Sequence, residues 1–190
     1  GPKSTLKKSM SELTALRAAG LTKAYLGVET GHDRLLKEVK KGVSYQEMLQ
    51  AGQNLVNAGM NLSSMVLLGL AGSGEPSREH ALATARITNE MKPQYLAALT
   101  VVPVPNTVLH RQVRTGAFKI LDAFETLKEM KWIFENITID GLKFVGSHAS
   151  NYLPISGTLQ KDRQKMLDTV NKVLESQDKR YLRSENMRGL

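Results

Sequence analysis

The sequence predicts a parallel α/β fold, and three observations carry that prediction. The stretch 64–75, SMVLLGLAGSGE, holds a short apolar run (Met65, Val66, Leu67, Leu68, then Leu70) that ends among Gly69, Ala71, Gly72 and Gly74. The run is too short for a self-standing helix and, bounded by turn residues, reads as a strand buried on both faces. A helical pattern opens directly after it at Pro76, Ser77, Arg78 and Glu79. The same order of helix, strand and glycine- or proline-marked exit recurs three times before residue 110. A strand feeding a small-residue loop and then a helix is the unit of parallel α/β folds, where ligands collect at the C-terminal strand ends.

Each element has a local cause. Ser9 or Ser11 caps a helix to about residue 19, with Leu13, Leu16 and Arg17 in helical spacing, and Gly20 stops it. Residues 23–29, KAYLGVE, read as a strand. Asp33 caps a helix to about Val39, and Ser44 with Glu47 forms a capping box for the next, whose stripe is Met48, Ala51, Leu55 and Ala58. Ala81, Leu82, Ala85, Ile87 and Met91 mark a helix that Pro93 closes, followed by a strand over 95–102. After Thr107 the repeat breaks. A short helix near 109–113, a firmer one over 121–136, a short strand near 142–145 and a last helix over 161–176 follow. The loop 146–154 is polar, and the tail 177–190 reads as polar and frayed.

Composition excludes several classes. No apolar run approaches the roughly 18–20 residues of a membrane span, no secretory leader is visible, and a cytoplasmic location is expected. The chain has no cysteine, so disulfides and thiolate metal sites are excluded within it. The net charge of +8 is concentrated at the ends, in Lys3, Lys7, Lys8, Lys179, Arg180, Arg183 and Arg188. Without interleaved aromatics or a binding motif these charges read as solvated helix faces rather than as a nucleic-acid surface. The opening Gly1–Pro2, with no methionine, reads as a cleavage scar on a piece of a longer chain.

The three strand exits offer Glu29, the bend 69–74 and the corner 103–107 to one crevice, provided the strands are neighbours. A carboxylate at a strand end suits a pair of sugar hydroxyls; it equally suits a salt bridge or a helix dipole. The glycines suit close approach of a nucleotide, or simply a tight turn. GLAGSGE lacks the Gly-Lys-Ser/Thr ending of a phosphate loop and does not match GxGxxG. His32, His80 and His110 read as solvated. His148, among Ser147, Ser150, Asn151 and Tyr152, either caps a self-bonded loop or meets a ligand. No spacing makes a metal site and no nucleophile–base pair stands out, so no catalytic or metal residue is assigned.

Several strings, in this order and spacing, are similar to the second half of the radical S-adenosylmethionine (radical SAM) core. They are LRAAGL at 16–21, YLGVETG at 25–31, the segment 36–42 ending in Lys41–Gly42, NAGM at 57–60, LLGLAG at 67–72 and VPVPNT at 102–107. HASNYLP at 148–154 and GTL at 157–159 resemble the tail of an Fe–S oxidoreductase subgroup of that superfamily. The resemblance implies an α/β partial TIM-like barrel with about three parallel strands over 1–110 and a mainly helical C-terminal extension over 111–190. It implies that Glu29 takes the ribose hydroxyls of S-adenosylmethionine and Lys41 its carboxylate, with the backbone at Leu67, Leu68, Gly69, Val102 and Pro103 flanking adenine. His148, Ser150 and Asn151 are substrate-side candidates. The family's CxxxCxxC motif, which holds a 4Fe–4S cluster, is absent, and so is its Gly-Gly-Glu-type segment. The resemblance therefore places the cluster and the radical chemistry, on an unknown substrate, in a parent enzyme, and leaves this chain inactive alone. The strand edge left bare is expected to drive self-association. Two other classes fit the bare pattern: another TIM-barrel enzyme using the glycine loop for phosphate, and a non-catalytic scaffold.

Overall fold

The computed structural model describes residues 1–189. Its centre is an open sheet in sequential order: β1 (Lys23–Glu29), β2 (Asn61–Leu68), β3 (Tyr95–Thr100), β4 (Lys143–Gly146) and β5 (Ile155–Thr158). The first four strands run parallel, and β5 returns antiparallel on β4. Helices α1 (Pro2–Leu6) and α2 (Met10–Ala18) precede β1. Then α3 (Asp33–Glu38) and α4 (Tyr45–Asn57) join β1 to β2, and α5 (Glu75–Met91) joins β2 to β3. Helices α6 (Val108–Arg114) and α7 (Ala123–Asn136) lead to β4, and α8 (Arg163–Ser176) follows β5. The expected α/β wall of a partial barrel is present, and it does not close.

Alternation along the strands explains the layering. Leu26, Val28, Leu62, Val66, Leu68, Leu96, Ala98 and Phe144 are buried beneath the helices. Tyr25, Met65, Leu67, Tyr95, Ala97, Leu99 and Val145 lie on the other face and stay partly or fully exposed. Reading β2 as buried on both faces is thus corrected: one face is covered and the other is half-open, and the strand begins at Asn61 rather than near Ser64. Capping boxes open α2, α4 and α7 at Ser9, Ser44 and Asp122, with Glu12, Glu47 and Glu125 reaching back. Asp33 does not cap α3. His32 holds that position, and the Asp33 carboxylate accepts from Tyr45 N–H at the start of α4, 2.6 Å away.

Within the C-terminal part, β4 and β5 extend the same sheet. Beyond the Ala97–Val145 pair the ladder between β3 and β4 ends. There the Asn151 amide bridges the strands, donating to Ala98 O (2.8 Å) and Gly146 O (2.9 Å) while its oxygen accepts from the Thr100 hydroxyl (2.9 Å). Residues 177–189 are tied down rather than frayed; Leu190 lies outside the described residues. Arg183 donates to His148 O at 2.7 Å, and Arg188 donates to Ser150 O at 2.7 Å. The Arg188 guanidinium also sits 3.6 Å from the centroid of the Tyr152 ring. Among the described residues no helix is long and apolar enough to cross a membrane.

Asn151 is fully buried and replaces a missing rung of the ladder. An Asn151→Leu variant strands two carbonyls and a hydroxyl. A loss of about 3 kcal/mol in urea-unfolding stability is expected, because buried polar groups left unpaired cost about 1–3 kcal/mol each.

Candidate functional site

Because β1, β2 and β3 are parallel neighbours, their exits lie side by side at one lip of the sheet. Glu29 ends β1 opposite Val66, after a register shift at Val28. Its φ is +64°, a left-handed conformation that costs a non-glycine residue about 1–2 kcal/mol. The Thr30 N–H donates back to Val28 O at 2.8 Å, completing a tight turn that carries the carboxylate back along the open face.

Lys41 meets it there. The helix α3 ends in a Schellman arrangement: Lys40, at φ +53°, donates its N–H to Lys37 O, and Lys41 N–H donates to Leu36 O at 2.9 Å. That turn sends the Lys41 ammonium to Glu29 Oε1, 2.7 Å away, with the two side chains 21% and 22% exposed. The pair lies over Gly27. A methyl group on Gly27 would collide with Glu29 Oε1 and stand 3.0 Å from Lys41 Nζ. Gly27 therefore belongs to the site, though the sequence reasoning passed over it. A lone glycine inside a strand pattern, which marks close approach, was the signal for it.

The exit of β2 turns left-handed at Gly69 (φ +82°) and again at Gly72 (φ +77°). The close approach there is made largely by the chain itself: Leu121 packs 3.5 Å from a methyl position on Gly69, and the Phe118 ring 3.3 Å from one on Gly72. The bend is also fastened from the helix side. Glu129 of α7, fully buried, accepts from Gly69 N–H at 2.7 Å, from His80 Nδ1 at 3.1 Å and from the Ser77 hydroxyl. One turn earlier Glu125 accepts from the Ser73 hydroxyl. Partial burial pushes the Glu125 carboxyl up, but the Ser73 hydroxyl, the Asp122 N–H and nearby Lys119 and Lys128 outweigh it and hold it below the usual range. His80 is thus at the centre of the molecule, not solvated as its helix suggested.

The remaining candidates divide. Leu67 faces the open side, whereas the Leu68 side chain is fully buried and its carbonyl accepts from Val101 N–H at 2.9 Å. Val102 and Pro103 are half-buried at the exit of β3. Ser150 and Asn151 are buried beside that exit; the Ser150 hydroxyl accepts from Thr100 N–H at 3.0 Å. His148 is half-buried, and its Nδ1 accepts from Ser150 N–H at 3.1 Å, which leaves the ring proton on Nε2. Among the described residues no group of three or more His, Asp or Glu side chains is placed to hold a metal ion.

Two searches return nothing: no family model matches the chain, and no curated protein matches it. Comparison of folds does find likenesses. The chain folds like part of an archaeal Elp3. The match is to the Methanocaldococcus infernus protein with an N-terminal deletion (1-46), at a TM-score of 0.63 and 19% identity. It covers 89% of this chain and 39% of that one, so this chain spans well under half of the Elp3 chain. At that identity the likeness speaks for the fold.

The lip offers a carboxylate, an ammonium and a floor that only glycine leaves clear. They do not fit an iron–sulfur cluster, because the chain supplies no thiolate. Gly27→Ala separates these roles. It gains strand propensity and loses a half-exposed ion pair, each about 1 kcal/mol or less, so urea-unfolding stability is expected to move by no more than about 1 kcal/mol.

Proposed function

We propose that this chain carries part of the S-adenosylmethionine pocket of a radical SAM enzyme, the cluster and the chemistry residing elsewhere in the functional protein. The observation that carries this reading is Glu29. A strained, partly buried carboxylate at a strand exit, set over a glycine floor and beside two further strand exits, is a poor solution for stability and a good one for gripping a ligand. The fold likeness to Elp3, a member of the radical SAM superfamily, supports it.

In this reading Glu29 accepts hydrogen bonds from the two ribose hydroxyls and Lys41 meets the amino-acid carboxylate. The backbone of Leu67, Leu68 and Gly69 and the Val102–Pro103 corner flank the adenine. When bound, S-adenosylmethionine supplies reductive cleavage of its sulfonium, and the electron for it comes from a cluster this chain has no thiolates to hold. On the substrate side His148 offers an Nε2–H, whereas Ser150 and Asn151 already use their polar groups to hold Thr100, Ala98 and Gly146, and Ser150 alone also holds the His148 ring at Nδ1.

The phosphate-binding alternative loses ground on the loop itself. The amides of Gly69, Gly72 and Ser73 donate to Glu129, Gly69 O and Lys119 O, which takes these three N–H groups of the bend away from an anion. Glu125 and Glu129 stand directly behind the bend, adding negative charge where a phosphate would sit.

Titration calorimetry tests the reading. S-adenosylhomocysteine is expected to bind more tightly than adenosine, since adenosine engages Glu29 and leaves Lys41 without its partner. Glu29→Gln and Gly27→Ala are expected to weaken binding by about tenfold or more, from the loss of charge-assisted hydrogen bonds worth about 1.5–3 kcal/mol. A sugar phosphate binding instead would favour the alternative enzyme class, and neither ligand binding would favour a scaffold.

We propose also that β1, which among the described residues pairs only with β2 and which exposes Tyr25, associates with a second copy of the chain. Light scattering is expected to show a dimer at high concentration, and a monomer throughout would refute it.

A further inference from the structure

Glu129 sits where packing alone would choose a leucine. Its neighbours on the same face of α7, Thr126 three residues before it and Ile133 four after, are both buried. Burying a carboxylate costs several kcal/mol unless its lone pairs are filled, and an apolar residue of similar volume is commonly as good or better for stability. Three donors fill those lone pairs here, and only one belongs to the main chain: Gly69 N–H, at 2.7 Å. That amide is the first beyond the β2 strand, which ends at Leu68. The left-handed turn at Gly69 directs it toward α7 and away from any strand partner. Ser77 and His80, one turn apart on α5, then steady the carboxylate from the side. His80 Nε2 is buried without a partner, so the ring's one polar contact is the one its Nδ1 makes with Glu129.

We propose that Glu129 is a positioning residue for the nucleotide lip. By fixing the Gly69 amide it sets the orientation of the peptide planes at Leu68–Gly69, and with them the surface offered to the adenine. This rests on the S-adenosyl reading of the previous section and adds its regulation by the C-terminal part of the chain. Any shift of α7 along its axis moves the carboxylate and so tunes ligand affinity from behind the sheet.

The test compares Glu129→Gln with Glu129→Met in the full chain. Glutamine keeps a carbonyl oxygen for Gly69 and His80 and turns its amide toward the Ser77 oxygen, which can accept. Methionine keeps the length and removes both acceptors. S-adenosylhomocysteine affinity is measured by calorimetry well below each variant's melting temperature, and the Gly69 amide is followed by NMR in the unliganded chain. Glu129→Gln is expected within about twofold of wild type, and Glu129→Met weaker by about tenfold or more, the equivalent of one charge-assisted hydrogen bond. The Gly69 resonance is expected to shift in the methionine variant alone. Where Glu129→Met does not fold, the triple change S77A/H80L/E129M removes the other buried polar partners and is read the same way. Wild-type affinity in a folded methionine variant overturns the proposal and leaves the S-adenosyl reading standing. Absence of binding by the wild-type chain overturns that reading and the proposal with it, whatever the Gly69 resonance does.

Discussion

All strand crossovers in this chain step in one direction, and the rest of the structure depends on that. When parallel strands β1 to β4 are laid down in sequential order with crossovers of one hand, every connecting helix falls on the same face. The other face then has no cover of its own. Its residues, Met65, Leu67, Ala97 and Leu99 among them, are only half-buried although apolar. The exits of β1, β2 and β3 share one lip for the same reason, so a carboxylate, a glycine bend and a proline corner separated widely in sequence become neighbours.

The helix-covered side meets the opposite demand, since every polar group there needs a partner. Ser77, His80, Thr84 and Thr88 form a buried polar stripe along α5. An ordinary core would place apolar side chains there. At one end of the stripe Ser77 and His80 meet Glu129 of α7, and Glu129 in turn holds an amide at the lip. Stability and site geometry are thus joined through one carboxylate. A change in the C-terminal part of the chain acts on the lip through that contact, without touching a ligand.

Much of this was legible in the sequence where local rules decide. KAYLGVE is β1 to the residue, and the Ser44–Glu47 capping box opens α4 as read. The shared lip followed from spacing alone. What failed required knowledge of a distant partner. His80 sits on a helix whose sequence, EPSREHALATARITNEM, carries enough charge to look solvated, and nothing local announces that Glu129 will bury it. Asp33 is a good cap by type, but the nearer unsatisfied amide in space was Tyr45 N–H. The strand ISGT has too little apolar content to declare itself, and it forms because β4 offers an edge. The basic tail looked frayed because Arg183 and Arg188 find their acceptors on the loop 147–151, far back in the chain.

The choice of lysine at position 41 fits this arrangement better than arginine would. A guanidinium would grip the Glu29 carboxylate through two parallel hydrogen bonds, and prising the pair apart would then cost more than a single ammonium contact does. With lysine, one 2.7 Å contact holds the site closed on itself over Gly27. A partly exposed pair of this kind is worth about 1 kcal/mol or less, so a ligand that offers hydroxyls to Glu29 and a carboxylate to Lys41 replaces it readily. A ligand offering only one of these leaves the other charge half-buried and alone. On the proposed S-adenosyl reading, selection against half-matching ligands follows from the contact the two residues make with each other.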